Sequence, residues 1–331
     1  MKKFIIYLVL QHFLFTGLFA SELDNFTHRY RPLKDSRILI NRKANSILRD
    51  VAFKLNRQKR GCREKELYRQ LRKHFNIMIL SKFPKWIEHN KKIDRYHPKP
   101  KNSLYRDWSF KESPAMKIYS HFIPIVMGPE LNFNGDRIGL DKFEHLLGYG
   151  YDNFKTYHVE EKGIHEVFIK GFKDEYGQLG AKGTGVMSYG DMSADFNGMR
   201  FWNNILKKDY DVMELSGLSK KVIGPYLLCV KNQWAINQKI DFRDYLDASM
   251  DEGINCSKFK KVSMAKKVKS YLKGLEKKYK KRFTCPIRPN LLRKMFKKYG
   301  QFSKYIINLD GHQGVPLKSG REIYNQLKTL K

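Results

Sequence analysis

The chain has 331 residues with 65 Lys and Arg against 33 Asp and Glu, a formal net charge of +32. An excess of this size has to face outward or meet an anionic partner, because unpaired Lys and Arg are almost never buried. No Walker loop, GxSxG, HExxH, GxGxxG or paired CxxC occurs, which removes the best-marked enzyme classes.

Residues 1–20 read as a secretory signal: Lys2 and Lys3 make a positive start, Phe4–Leu10 and Phe13–Phe19 are almost wholly apolar, and Ala20 is a small residue before a polar stretch. Gln11 and His12 interrupt the apolar run, so an uncleaved N-terminal anchor is the alternative. Every later apolar stretch is broken by Lys, Arg, Asp or Asn, and no transmembrane span is expected after the signal. A periplasmic or secreted protein follows. Removing residues 1–20 takes away two lysines and leaves +30 on 311 residues. For an exported chain the expected partner is an anionic envelope polymer or an anionic lipid surface rather than nucleic acid; the alternative is a set of solvated lysines with no partner. Cys62, Cys229, Cys256 and Cys285 fit two disulfides, with three pairings open. Compactness favours Cys229 with Cys256 and Cys62 with Cys285; four buried thiols are the alternative.

In chain order, Ile40, Ala44, Ile47, Leu48, Val51 and Leu55 predict one buried helical face, with Asp35 or Ser36 as the cap, and Leu67, Leu71 and Phe75 continue the period in a second helix. Between Pro84 and Pro129 the prolines predict irregular chain. Trp86, Tyr96, Tyr105 and Trp108 punctuate this basic stretch, either as partly buried loop aromatics or as platforms for sugar rings or bases. Asn134 and Gly135 make a turn.

Three candidate helices follow over 139–206. In the first, Leu140, Phe143, Leu147, Tyr151 and Phe154 form the apolar face, while Asp141, His145, Gly148 and Asp152 form a second stripe. A carboxylate and a histidine at i and i+4 can share a proton or bind one metal; the same pattern also describes a solvated face. In the second helix Glu175 and His165 lie with the apolar set Ile164, Phe168, Phe172, Tyr176 and Leu179. A carboxyl held there has its pKa raised or needs a cation, whereas one at the rim pairs with a lysine. In the third, Ser188 and Asp191 have capping-box spacing, which by itself accounts for Asp191. Asp195 shares a face with Gly198, Trp202 and Ile205 and should point inward, where capping does not explain it. Its available neighbours are His145, His165, Lys142 and Lys173.

Beyond the centre, Asp247, Asp251 and Glu252 read as surface acids. The lysine-rich stretch 260–298 carries a narrow apolar stripe of Val268, Leu272 and Leu275 under a broad cationic face, suited to an anionic surface or to packing on the body. His312 sits in a turn-rich loop before a short last helix, and a lone loop histidine is usually no ligand.

The pairing of DKFEH with SYGDMSADFNG resembles YfiM-like bacterial envelope lipoproteins, in which an Asp-Lys-x-x-His helix precedes one beginning Ser-x-x-Asp and continuing to a small residue and Gly. The likeness covers about residues 139–200. It implies family positions at Asp141, Lys142, His145, Asp191 and Gly198, with Asp195 where Asn or Asp stands, and it implies an exported helical unit rather than a reaction. The chain departs from that family in having no lipobox cysteine and in its long basic flanks.

The expected fold is mainly α: an irregular multi-helix globular domain with a polar-centred helical core over 21–258 and a basic C-terminal lobe over 259–331. The expected function is an exported envelope protein acting as a carboxylate-dependent hydrolase on peptidoglycan or another envelope glycan. Glu175 is then the proton donor, Asp191 or Asp195 the base or charge-stabilising partner, and His145 with Asp141 the orienting pair, with a divalent cation as the cofactor if the cluster holds one. The competing class is a non-catalytic binding or scaffold protein with a structural polar network.

Overall fold

The computed structural model describes residues 22–75, 82–115, 127–177 and 180–316. The expected signal at 1–20 and the short helix expected after Pro316 lie outside them. The fold is a mainly α multi-helix globular domain with a few short strands.

The N-terminal platform is α1 (Arg37–Arg57) and α2 (Glu64–Phe75), whose apolar residues at three and four spacing are buried as the pattern predicts. The Asp35 carboxylate accepts from the Arg37 amide at 3.0 Å at the start of α1. A third helix, α3 (Lys82–His89), stands where irregular chain was expected. Pro84 lies in its first turn, where a missing N–H breaks no intrahelical bond. Tyr105 and Trp108 of the following loop are buried in the core rather than presented as platforms.

The short strand β1 (Arg95–Tyr96) pairs with β2 (Glu130–Phe133), and β2 pairs antiparallel with β3 (Asp136–Gly139). Asn134 and Gly135 both take positive φ in the tight turn between β2 and β3, which is why that dipeptide closes the hairpin. The hairpin delivers the chain into α4, which runs as an α turn (Leu140–Glu144), a π turn (His145–Tyr149), a second α turn (Gly150–Phe154) and a second π turn (Lys155–Val159). After it come α5 (Ile164–Tyr176), the two-residue β4 (Val186–Met187) and α6 (Tyr189–Leu206).

Helix α6 is the axis of the molecule. Its residues from Tyr189 to Ile205 are buried on every side except at Asp191. The face of Ser193, Asn197, Arg200 and Asn204, which reads as the opposite polar face, is therefore also interior. Most of its polar groups find partners there: the Arg200 Nε donates to Asp211 at 2.8 Å and its Nη1 to Asn197 at 2.6 Å, while Asn204 donates to Asp211 at 2.9 Å, its own Oδ1 having no hydrogen-bond partner among the described residues. Two glycines let α4 lie directly against α6, since a Cβ on Gly198 would sit 2.0 Å from the Leu146 carbonyl oxygen and one on Gly150 2.4 Å from the Gly198 Cα.

The remainder wraps this axis. It comprises α7 (Val212–Leu215), the hairpin β5 (Leu227–Val230) and β6 (Gln233–Ile236), β7 (Lys258–Phe259) paired with β4, and the helices α8 (Val262–Tyr279), α9 (Pro289–Tyr299) and α10 (Ser303–Ile306). Val268, Leu272 and Leu275 of α8 bury the predicted stripe. Tyr299 of α9 reaches α6, its hydroxyl accepting from Asn197 at 2.9 Å.

The disulfides join Cys62 to Cys229 and Cys256 to Cys285. The expected pairing of Cys229 with Cys256 and Cys62 with Cys285 is wrong. Cys62, just ahead of α2, meets the β5–β6 hairpin, a neighbourhood set by tertiary packing rather than by closeness along the chain.

Candidate active site

The first π turn of α4, the last turn of α5 and the first turns of α6 converge on one polar centre. Asp141 and Lys142 come from the start of α4, His145 from its π turn, Glu175 from α5, and Ser188, Asp191 and Asp195 from the cap and first two turns of α6. The Ser188 Oγ accepts from the Asp191 amide at 3.1 Å, so the capping reading holds. That bond also fixes the direction in which the Asp191 carboxylate leaves the helix.

Lys142 is the hub. Its side chain is wholly buried, and its Nζ donates to Asp141 at 2.8 Å, to Asp191 at 2.5 Å and to Glu252 at 2.9 Å. Gly190 makes room for it, because a Cβ there would lie 2.9 Å from the Lys142 Cε. Burial disfavours the ammonium, but the charges of Asp141, Asp191 and Glu252 outweigh burial and raise the Lys142 pKa well above its ordinary value. The lysine stays charged.

His145 bridges the second half of the centre. Its Nδ1 lies 2.9 Å from Asp195 Oδ1 and its Nε2 3.4 Å from Asp191 Oδ2, with the ring stacked on Tyr149 at 4.8 Å between centroids. Burial lowers the imidazole pKa, and the carboxylates of Asp191 and Asp195 more than reverse this, leaving it well above the ordinary value. Asp195 is pushed up to about 6 by burial, against the opposing pull of His145. Glu175 is buried and accepts the Ser188 amide at 3.0 Å. Burial first, and then the Asp191 charge, raise its pKa well above the usual carboxylate range. Asp191 goes the other way: burial pushes it up, but His145 and Lys142 together hold it below its ordinary value. Asp141 is pushed up to about 7 by burial, with Lys142 opposing.

The sequence-predicted residues are thus brought together, with three corrections. Asp141 does not orient His145; it pairs with Lys142, and Asp195 takes the imidazole. Asp247, Asp251 and Glu252 are not surface acids: Asp251 and Glu252 are buried, and the Asp247 side chain, 13% exposed, accepts from the Tyr299 hydroxyl at 2.8 Å. Of the four neighbours offered to Asp195, His165 lies edge-on to Tyr305 at 6.2 Å and Lys173 is exposed. Glu252 was therefore missed as a member of the site. Its signal was its setting, since Asp251 and Glu252 stand between Met250 and Ile254, two residues that pack fully inside.

Five carboxyl groups, Asp141, Glu175, Asp191, Asp195 and Glu252, face two cationic side chains, Lys142 and His145. A buried excess of this kind has to hold protons or a cation. The ligand atoms of His145, Glu175 and Asp191 lie within 4.8 Å of one another, so these three could hold a divalent ion with Asp195 fixing the imidazole from behind. The carboxylates of Asp141, Asp191 and Glu252 are as close, but the Lys142 ammonium already occupies their centre. Cys256, Cys285 and His312 also cluster, and both sulfurs there are spent in the disulfide.

Chemically, the centre sets a carboxyl whose pKa is raised beside one whose pKa is lowered, with the imidazole of His145 between them. His145 and Asp191 are the members with some solvent access, at 17% and 14% side-chain exposure. Comparisons of the chain with protein-family models, with curated proteins and with solved structures each found no match.

Proposed function

We propose that the protein is an exported, periplasmic or secreted factor that hydrolyses peptidoglycan or another envelope glycan, with Glu175 as proton donor and Asp191 as the ionised partner. The observation that carries this reading is the convergence of Glu175, Asp191 and His145, whose ligand atoms lie within 4.8 Å of one another, in surroundings that displace Glu175 upward and Asp191 downward. Divergent environments for adjacent carboxyls are the arrangement that assigns acid and base roles in glycoside hydrolysis. Asp195 acts through His145, holding the imidazole so that its Nε2 faces Asp191. Lys142, with Asp141 and Glu252, holds Asp191 in place from the other side. Export is supported by the signal-like residues 1–20 and by two disulfides, which persist in oxidising compartments.

The test is release of reducing ends from purified sacculi by the mature chain. Turnover is expected to fall by at least about 10²-fold in Glu175→Gln, the usual scale of a lost general acid. Turnover that survives Glu175→Gln and Asp191→Asn would remove the mechanism. A metal-assisted form of the same hydrolysis is favoured by the closeness of the His145, Glu175 and Asp191 ligand atoms. Under that form, EDTA abolishes turnover and added Zn²⁺ or Mn²⁺ restores it, whereas the acid–base form is indifferent to both.

A further inference from the structure

With 65 Lys and Arg against 33 Asp and Glu, the chain has cations to spare, and carboxylates across its surface are paired with them, as Glu160 is with Lys162, Glu214 with Lys207 and Asp241 with Arg243. The rim of the His145 centre is different. Glu144 and Asp152 of α4 and Asp174 of α5 are half-buried, and among the described residues none of their side chains makes an ion pair or accepts a hydrogen bond. Glu144 directly precedes His145 and Asp174 directly precedes Glu175; both interact with the imidazole charge, and Asp152 interacts with Asp174. We propose that these three carboxylates set the specificity of the site by receiving a protonated primary amine, so that the glycan it acts on carries free amino groups. The inference rests on the hydrolase reading for the polymer and not for the charge.

The aromatic residue at the same rim points to the same class. Tyr149 stacks on His145 with 4.8 Å between centroids and 22° between planes, and its hydroxyl lies in the field of Asp195, Glu175 and Asp174. Neighbouring tyrosines have a basic side chain over the ring, Arg72 at 4.3 Å over Tyr151 and Lys182 at 5.3 Å over Tyr176. Tyr149 has none among the described residues. An aromatic face beside unpaired carboxylates suits an organic ammonium. Lys170 and Lys173 of α5 act on Asp174, but neither comes within ion-pair distance of it.

A metal ion fits the rim less well. Among the described residues, the groups whose ligand atoms lie within 4.8 Å of one another include none of Glu144, Asp152 and Asp174. Burial and then the Asp141 charge push Glu144 up to about 7, and burial raises Asp174 against the pull of Lys170 and His145. An ammonium among them opposes both shifts, so its binding and the ionisation of the rim reinforce each other. Behind the rim, buried Glu175 spends one oxygen on the Ser188 amide; the other has no hydrogen-bond partner among the described residues, which leaves it for the leaving-group oxygen of the same strand.

The test measures binding by calorimetry to the mature chain carrying Glu175→Gln, which spares the probe, at about pH 6, where an amine of the α-amino kind is protonated. The probes are a glucosamine hexamer, an N-acetylglucosamine hexamer and hexalysine. A polycation has no electrostatic reason to bind elsewhere on a mature chain of +30. The glucosamine hexamer is expected to bind, and the N-acetylated hexamer at least about tenfold more weakly, the scale of a lost hydrogen bond to a charged group. Adding Glu144→Gln, Asp152→Asn and Asp174→Asn together should cost at least about tenfold in affinity and leave the melting temperature unchanged or higher, because isosteric amides remove like-charge repulsion. Tyr149→Phe should keep the affinity and Tyr149→Leu should lose it. No binding, equal binding of the N-acetylated hexamer, tighter binding of hexalysine, or binding that survives the triple substitution would overturn the amine rim. Sacculi turnover by the unsubstituted chain is scored apart: the expected binding without turnover contradicts the hydrolase reading alone, and turnover with no preference for the free amine contradicts the rim alone.

Discussion

Three carboxylates meet the Lys142 ammonium in a position with no solvent access, and the consequence is asymmetric. Removing the cation leaves its partners buried and unpaired, which costs about 3–5 kcal/mol. Lys142→Met should therefore lose about that much stability in urea denaturation at pH 7. The deficit should shrink on acidification, because carboxyls whose folded pKa is raised favour the folded state at low pH and lose that contribution as pH rises through the folded value. Asp136 gives the same sign away from the centre. Burial, and then the nearby Asp251 and Asp247, push its carboxyl up to about 7. It favours the folded state below its unfolded value of about 4 and loses that contribution as pH rises toward 7. Asp136→Asn should flatten the decline in stability between those two pH values, measured as urea midpoints. At this scale the sequence was informative about which acids point inward, Glu175 and Asp195, because helical period places each on a buried face. It misplaced Glu252, read as a surface acid, which reaches Lys142 from 110 positions away, a distance over which no local pattern carries information.

Glycine permits the closest approach of α4 and α6, at Gly150 and Gly198, beside the contacts of Trp202 with Tyr151 and the Leu147 carbonyl. Gly198→Ala and Gly150→Ala each place a methyl against backbone, which cannot rotate aside, so each should cost at least about 1–3 kcal/mol, the range for overpacking. Two controls separate this from a general effect of added bulk. Gly163→Ala meets nothing within 4 Å and should be close to neutral, and Gly274→Ala, inside α8, should stabilise by up to about 1 kcal/mol. Thermal melts of the four variants check the ordering. Gly198 stood out in the sequence as part of the Ser-x-x-Asp helix, and its partner did not. The helical period put Gly148 in the second stripe of α4, whereas Gly150 is the glycine that lies against Gly198. The π turn at His145–Tyr149 explains the displacement, since it breaks the 3.6-residue period on which the face assignment depended.

For the whole molecule, the two disulfides differ in reach, with sequence separations of 167 and 29. Chain-entropy arguments put their contributions at about 5 and about 4 kcal/mol respectively. Peptide mapping of the unreduced protein should recover Cys62 with Cys229 and Cys256 with Cys285, and replacing Cys62 and Cys229 by Ala should lower the melting temperature at least as much as replacing the other pair. The mainly α class was legible because long amphipathic periods dominate the chain. The cysteine partners were not, because the platform and the β5–β6 hairpin become neighbours only through packing around α6. The charge held by the centre as a whole is the claim on which the proposed chemistry stands, and carbon-13 carboxyl NMR of the folded protein reads it directly. Glu175 should lose its proton above the ordinary carboxylate range of about 4 and Asp191 below it. Ordinary titration of both carboxyls near pH 4 would contradict the account.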